Sequence, residues 1–285
     1  MVRIWIILQQ PNNILMKDVT IVKPGAKRKK DPSRLENIFL NKTRLLNIYC
    51  TAGFPAIDST ITVMRALQEG GADIIELGMP YSDPLADGPV IQQSNMQALE
   101  NGMTMKLLFE QLQSVKNDIS IPVILMGYLN PVLQYGMQAF CRDAAAAGVD
   151  GIILPDLPLN EYNSYRKLFK NSGLHFIFMV TPETSQARIR KADHLSSGFL
   201  YAVSSSSTTG NERTPGNLEG YFKNLQKMKL RNPVLVGFGI RDKVTYDRVC
   251  KYTSGAVIGS AYINAIAHST DIKHDTEKFI KSIHG

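Results

Sequence analysis

A chain of 285 residues, 44% of them hydrophobic and 20% charged, can bury a substantial single core, and an α/β barrel of about 250 residues fits without a second domain. Its three cysteines, Cys50, Cys141 and Cys250, are odd in number and far apart with no CxxC spacing, so they read as reduced thiols of a cytosolic protein. Much of the formal charge of +7 sits between Lys23 and Lys30, where Lys27-Arg28-Lys29-Lys30 run in series without interleaved aromatics, which argues for a solvated basic arm and against a nucleic-acid-binding face.

Residues 1–15 contain Trp5-Ile6-Ile7-Leu8, an apolar run too short to span a bilayer and followed by no small-residue cleavage site. It does not read as a signal peptide, and the sequence predicts Met16 as the true start. An intact-mass measurement on protein from its source that found residues 1–15 retained would overturn that expectation. Residues 1–40 are expected to be a partly flexible N-terminal extension and residues 41–285 the folded catalytic domain.

From Leu46 onward, short apolar or β-branched runs alternate with longer segments of helical period, the pattern of repeated strand-helix units around a parallel sheet. The runs predict strands over Asn47 to Thr51, Asp73 to Leu77, Pro122 to Met126, Gly151 to Leu154, Phe176 to Val180, Phe199 to Val203, Pro233 to Val236 and Ala256 to Ile258. After the first strand, Asp58 is placed to cap a helix that carries Ile61, Met64 and Leu67 inward and stops at Gly70-Gly71. Phe140, Ala144 and Ala147 repeat that design and end at Gly148. A weak internal echo joins Gly71-Ala72-Asp73-Ile74-Ile75-Glu76 to Gly148-Val149-Asp150-Gly151-Ile152-Ile153, each a helix-stop glycine, an aspartate and a strand. Eight such units predict a single (β/α)8 TIM barrel with extra short helices, whose site lies at the C-terminal ends of the strands. A doubly wound open sheet is the alternative; it wants a Gly-rich dinucleotide turn where the chain has Thr51-Ala52-Gly53-Phe54-Pro55.

Glu76 lies in a strand otherwise built of Ile74, Ile75 and Leu77, where desolvation raises a carboxyl pKa and lets the group hold or deliver a proton near neutrality. The competing reading is an ion pair with a Lys or Arg arriving from elsewhere in the fold. Asp87 follows in a loop stiffened by Pro84, Gly88 and Pro89, positioned either to face Glu76 across the barrel mouth or merely to cap the helix that starts near Val90. Gly237-Phe238-Gly239 and Gly259-Ser260-Ala261 come after the last two strands, where barrels commonly bind phosphate on backbone N–H groups; tight turns would use the same glycines. Residues 204–216, small and polar throughout, fit a lid over the mouth or a serine-rich connector. The five histidines, His175, His194, His268, His274 and His284, show no ligand spacing, so no metal site is expected.

Glu76-Leu77-Gly78 with Pro80-Tyr81-Ser82-Asp83-Pro84-Leu85-Ala86-Asp87-Gly88-Pro89 closely resembles the signature of the tryptophan synthase alpha subunit family. The likeness runs from about Leu46 to the C-terminus and takes in Ala52-Gly53-Pro55, Met126-Tyr128-Asn130-Pro131, Pro155-Asp156-Leu157-Pro158, Thr209-Gly210 and both glycine turns. It implies retro-aldol cleavage of indole-3-glycerol phosphate with no cofactor in this chain. On the matching positions, Glu76 and Asp87 would be the acid-base pair, Tyr49, Tyr128 and Tyr201 would line the indole site, and Gly210, Gly237, Gly239, Gly259 and Ser260 would hold phosphate. Thr209 would clamp Asp87 as the lid closes. The resemblance further implies a pyridoxal-phosphate beta subunit as partner, in an alpha2-beta2 heterotetramer, docking on Asp83, Asn130, Pro131 and Asp156. Ser207 and Tyr49 depart from the glycine and phenylalanine common in the family. The strand pattern and glycine turns taken alone would also suit a sugar-phosphate epimerase or phosphoribosyl isomerase, and a barrel kept only as a regulatory partner would be expected to lack Glu76 or Asp87.

Overall fold

The computed structural model describes residues 31–203, 215–237 and 239–285; the expectations for residues 1–30 and for all but the last two residues of the 204–216 lid, Thr209 and Gly210 included, lie outside the described residues. In chain order the first half runs α1 (Arg34–Asn41), β1 (Leu45–Thr51), α2 (Ser59–Gly70), β2 (Ile74–Gly78), α3 (Pro89–Glu100), α4 (Met105–Val115), β3 (Val123–Met126), α5 (Leu129–Tyr135), α6 (Met137–Ala146) and β4 (Gly151–Ile153). The second half runs α7 (Tyr162–Asn171), β5 (His175–Phe176), β6 (Met179–Val180), α8 (Gln186–Leu195), β7 (Leu200–Val203), α9 (Pro215–Lys227), β8 (Val234–Gly237), α10 (Lys243–Cys250), β9 (Gly255–Ile258), α11 (Ser260–Ile266) and α12 (Ile272–His284).

All strand pairs are parallel, in the order β5-β4-β3-β2-β1-β9-β8-β7-β6. The strand expected over Phe176 to Val180 is two short pieces. Its first half pairs with β4 and its second with β7, and between them Ile177 N–H donates to the Ile152 carbonyl at 3.0 Å while the Phe178 carbonyl accepts from Tyr201 N–H at 3.0 Å. Segment 175–180 is thus one interrupted strand that joins the two ends of the sheet, and the ring closes on eight. The stagger of a closed barrel offsets a strand's two neighbours along its axis, which is why the ladder breaks there. An open doubly wound sheet has no such closing strand.

Burial on both faces explains the nearly continuous apolar runs: all seven residues of β1 and all five of β2 are buried. The helices supply the outer layer. In α2 the inward stripe is Thr60, Val63, Met64 and Leu67, an i, i+3, i+4, i+7 set that covers a wider face than the expected i, i+3, i+6 series, so Ile61 is only half-buried. Asp58 stands at the N-cap but its side chain makes no cap bond; the Ser59 hydroxyl accepts from Ala56 N–H instead, at 3.2 Å. Phe140, Ala144 and Ala147 are buried as expected.

The internal echo has a physical cause. Gly71 at φ 102 and Gly148 at φ 82 end their helices in the left-handed region that glycine adopts without strain. The aspartate two residues later then reaches sideways to the start of the preceding strand: Asp73 accepts from Leu46 N–H at 2.9 Å, and Asp150 from Val123 N–H at 2.8 Å. Each carries a cation, Lys42 on Asp73 and Arg34 on Asp150. Arg34 also donates to the carbonyls of Ile119 and Gly148, and Ser33 is within 2.8 Å of His175 Nε2, so α1 lies across the N-terminal ends of the strands with Leu35 fully buried. Among the described residues no helix is long and apolar enough to cross a membrane.

Candidate active site

Strand alternation sends Asn47 and Tyr49 of β1 to the barrel interior, and the register sets Tyr49 beside Glu76 of β2. Gly78 and Gly237 make room for two large side chains there. A Cβ at Gly78 would collide with the Tyr49 hydroxyl, and one at Gly237 with the Tyr201 hydroxyl. Both rings therefore lie flat inside the mouth, buried to 5% and 3% exposure.

A cavity of about 360 Å³ opens at the C-terminal ends of the strands, within the size range of small-molecule sites. It is lined by Tyr49, Glu76, Asp87, Ile91, Met126 and Tyr201 together with Gly239, Ile240, Arg241, Val257, Gly259, Ser260, Ala261 and Asn264. Glu76 is 1% exposed, its Oε2 accepts from Asn47 Nδ2 at 2.8 Å, and its Oε1 has no partner. Burial pushes the carboxyl up to about 8; the Asn47 bond pulls the other way and Asp87 adds to the rise. The cation that an ion-pair reading requires is absent among the described residues, and Asn47 takes its place.

Asp87 is half-buried in a loop held by its own N–H donating to the Pro84 carbonyl at 3.0 Å and its carbonyl accepting from Gln92 Nε2 at 2.9 Å. Helix α3 begins with Gly88 at the N-cap and no side-chain cap bond, so neither Asp83 nor Asp87 is spent as a cap. Desolvation raises Asp87 to about 6, held down from higher by the Tyr128 hydroxyl hydrogen-bonded to it. That hydroxyl also accepts from Ala86 N–H at 3.0 Å, which ties the loop to the end of β3. Two carboxyl groups thus face one cavity with separated pKa values: near pH 7 one keeps its proton and the other is ionised. Burial also lifts the Tyr49 and Tyr201 phenols well above their ordinary range, with the carboxylates adding to it, so both are neutral hydroxyls.

The structure brings Glu76, Asp87, Tyr49, Tyr201, Gly239, Gly259 and Ser260 to one cavity, with Tyr128 behind Asp87. Gly239 sits at φ 74. Gly237 is not on the cavity wall; the space it leaves belongs to Tyr201. Asp83 and Asp156 are exposed on the loops that follow β2 and β4, and exposed Asn130 and half-buried Pro131 stand in the first turn of α5 after β3, all outside the cavity at the same end of the barrel. Asp156 accepts from Leu129 N–H at 2.9 and 3.0 Å. Asn47 escaped the sequence reading, although an amide inside Leu45-Leu46-Asn47-Ile48 carries the same signal as Glu76: a polar group in an apolar strand. Arg241 and Asn264 carried none. Among the described residues no cluster of three or more His, Cys, Asp or Glu side chains is arranged to hold a metal ion.

Comparison with known proteins points one way. A family model described as tryptophan synthase alpha chain matches residues 36–284. The tryptophan synthase alpha chain of Flavobacterium johnsoniae is 48% identical over 228 residues, covering 79% of this chain and 90% of the relative. That of Bacteroides thetaiotaomicron is 45% identical over 242 residues, covering 84% and 94%. Among solved structures, tryptophan synthase subunit alpha from Legionella pneumophila superposes with a TM-score of 0.79 at 33% identity, over 88% of this chain and 95% of that one. A chain of the tryptophan synthase complex of Pyrococcus furiosus superposes with a TM-score of 0.78 at 32% identity, over 86% and 99%.

Proposed function

The chain belongs to the tryptophan synthase alpha chain family, and from that membership and the two-carboxyl cavity we infer a lyase that cleaves indole-3-glycerol phosphate to indole and glyceraldehyde 3-phosphate. The observation that carries the assignment of roles is the buried Glu76, its Oε1 unpartnered, sharing one cavity with the less buried Asp87; desolvation pushes the first carboxyl up further than the second. Glu76 delivers its proton to indole C3 while Asp87 takes the proton of the indole N–H. The Glu76 carboxylate so formed then accepts the proton of the glycerol hydroxyl on the carbon joined to the ring. The carbon–carbon bond breaks, its electron pair returns to the ring, that carbon becomes the aldehyde, and Asp87 gives its proton back to nitrogen. Both residues end as they began, with no net proton and no oxidation.

Tyr49, Tyr201 and Tyr128 frame the indole in this reading, and Gly239, Gly259 and Ser260 receive the phosphate. Gly237 serves that end indirectly by seating Tyr201, while Gly210 would close over the phosphate and Thr209 over Asp87. This half-reaction draws on no cofactor in the chain. The indole passes to a beta subunit that carries pyridoxal phosphate, in an alpha2-beta2 heterotetramer in the cytoplasm. Asp83, Asn130, Pro131 and Asp156 follow the adjacent strands β2, β3 and β4, so a partner docked on them would sit against that side of the mouth. In this reading residues 41–285 carry the catalytic machinery, with α1 packed across the N-terminal ends of the strands. The test is indole release from indole-3-glycerol phosphate, with and without the beta subunit: Glu76→Gln is expected to lose at least about a hundredfold in kcat, the lower end of general acid-base contributions, and appreciable turnover by that variant would remove Glu76 from the chemistry.

A further inference from the structure

We propose that Arg241 is a phosphate-binding residue that sets which end of the substrate enters which end of the cavity; this rests on the substrate assignment above. The cavity is electrically lopsided. Glu76 lies in β2 and Asp87 in the loop that follows it, and among the described lining residues Arg241 is the sole cation, in the loop after β8 that also carries Gly239. Strands β2 and β8, which lead to the two groups, lie three places apart around the ring, so the opposed charges are across the mouth from each other.

Arg241 is fixed at its root and free at its tip. Its backbone N–H donates to the Thr245 hydroxyl at 3.1 Å, inside the capping box in which Asp242 Oδ1 accepts from Thr245 N–H and Oγ1 at 2.8 and 2.7 Å. The side chain is 80% exposed, and its ion pair is with the neighbouring Asp242 at 3.8 Å, beyond hydrogen-bonding distance and to a carboxylate already engaged in the cap. A planar fork with donors to spare at the edge of a cavity suits a phosphate dianion. The carboxylates opposite repel the same dianion, so attraction and repulsion act together to admit the substrate with its phosphate toward Arg241 and its indole N–H and glycerol hydroxyl toward Asp87 and Glu76.

The experiment compares wild type with Arg241→Gln and Arg241→Lys, in indole release and in calorimetric titration with inorganic phosphate, a probe that needs no turnover. Loss of one charge-assisted contact of about 1.4 kcal/mol is tenfold in an equilibrium constant. Arg241→Gln is therefore expected to raise KM about tenfold and weaken inorganic phosphate by a similar factor, with kcat lowered no more than about twofold, the pattern of a uniform binding contact. Arg241→Lys should recover part of both, and added salt should raise the wild-type KM more steeply than that of Arg241→Gln. Equal phosphate affinity and equal KM in wild type and Arg241→Gln would overturn the proposal, as would a fall in kcat accompanied by a lowered melting temperature, which marks a structural role. Failure of the wild type to release indole would instead sink the substrate assignment, and the phosphate titration would still decide whether Arg241 holds the anion.

Discussion

Glu76→Gln should stabilise the fold, and by an amount that depends on pH. The ordinary carboxyl value is 4.5 and the buried group lies at about 8, so the folded state binds the Glu76 proton more tightly than the unfolded state. Below pH 4.5 both states are protonated and the group costs nothing. Between 4.5 and 8 the unfolded chain releases the proton while the folded chain keeps it, and wild-type stability falls by about 1.4 kcal/mol per pH unit. Above 8 both are ionised and the loss levels off near 5 kcal/mol, or about 3 kcal/mol at pH 7. Glutamine has the same shape, keeps an acceptor for Asn47 and does not titrate. Its unpaired amide resembles the unpaired Oε1 of the protonated acid, so any fixed offset cancels when pH values are compared. Urea unfolding of both proteins at pH 5, 6, 7 and 8 should show the advantage of the variant growing by about 4 kcal/mol across the series. Parallel stability curves would refute the linkage and with it the claim that Glu76 is protonated in the folded site.

The same two groups predict a bell-shaped kcat/KM profile with limbs near pH 6, where Asp87 must ionise, and near pH 8, where Glu76 must keep its proton; a profile flat from pH 5 to beyond pH 9 would contradict the assignment. Tyr128→Phe removes the hydroxyl that favours the ionised Asp87, so the acid limb should move upward while the alkaline limb stays in place, which a pH series on the variant reads directly. Gly237→Ala should cost about 1–3 kcal/mol by overpacking, because its methyl meets the Tyr201 hydroxyl. Adding Tyr201→Phe should recover part of that loss in thermal melts, and no recovery would mean that Gly237 is needed for something other than the tyrosine.

The barrel was legible because most of its strand residues are buried on both faces and so are written as apolar runs, and because a helix-stop glycine and a strand-leading aspartate recur in two of the units. Glu76 was legible for the complementary reason, a carboxylate where only hydrocarbon is expected. Nothing local could choose between Asp87 as a cap and Asp87 as a cavity residue, since either role suits an aspartate just ahead of a helix. The choice follows from Gly88 taking the N-cap and from Tyr128, 41 positions along the chain. Gly237 was open to a phosphate reading for a similar reason: what a glycine makes room for is a neighbour in space, here Tyr201 on the adjoining strand. By itself the sequence determined the strand-helix repeat and the carboxylate buried in it, because periodicity and composition are properties of consecutive residues. Closure of the ring through residues 175–180, the separated protonation of Glu76 and Asp87, and the meeting of Arg241 with their cavity were decided only by the tertiary structure, because each depends on distances between segments far apart in the chain.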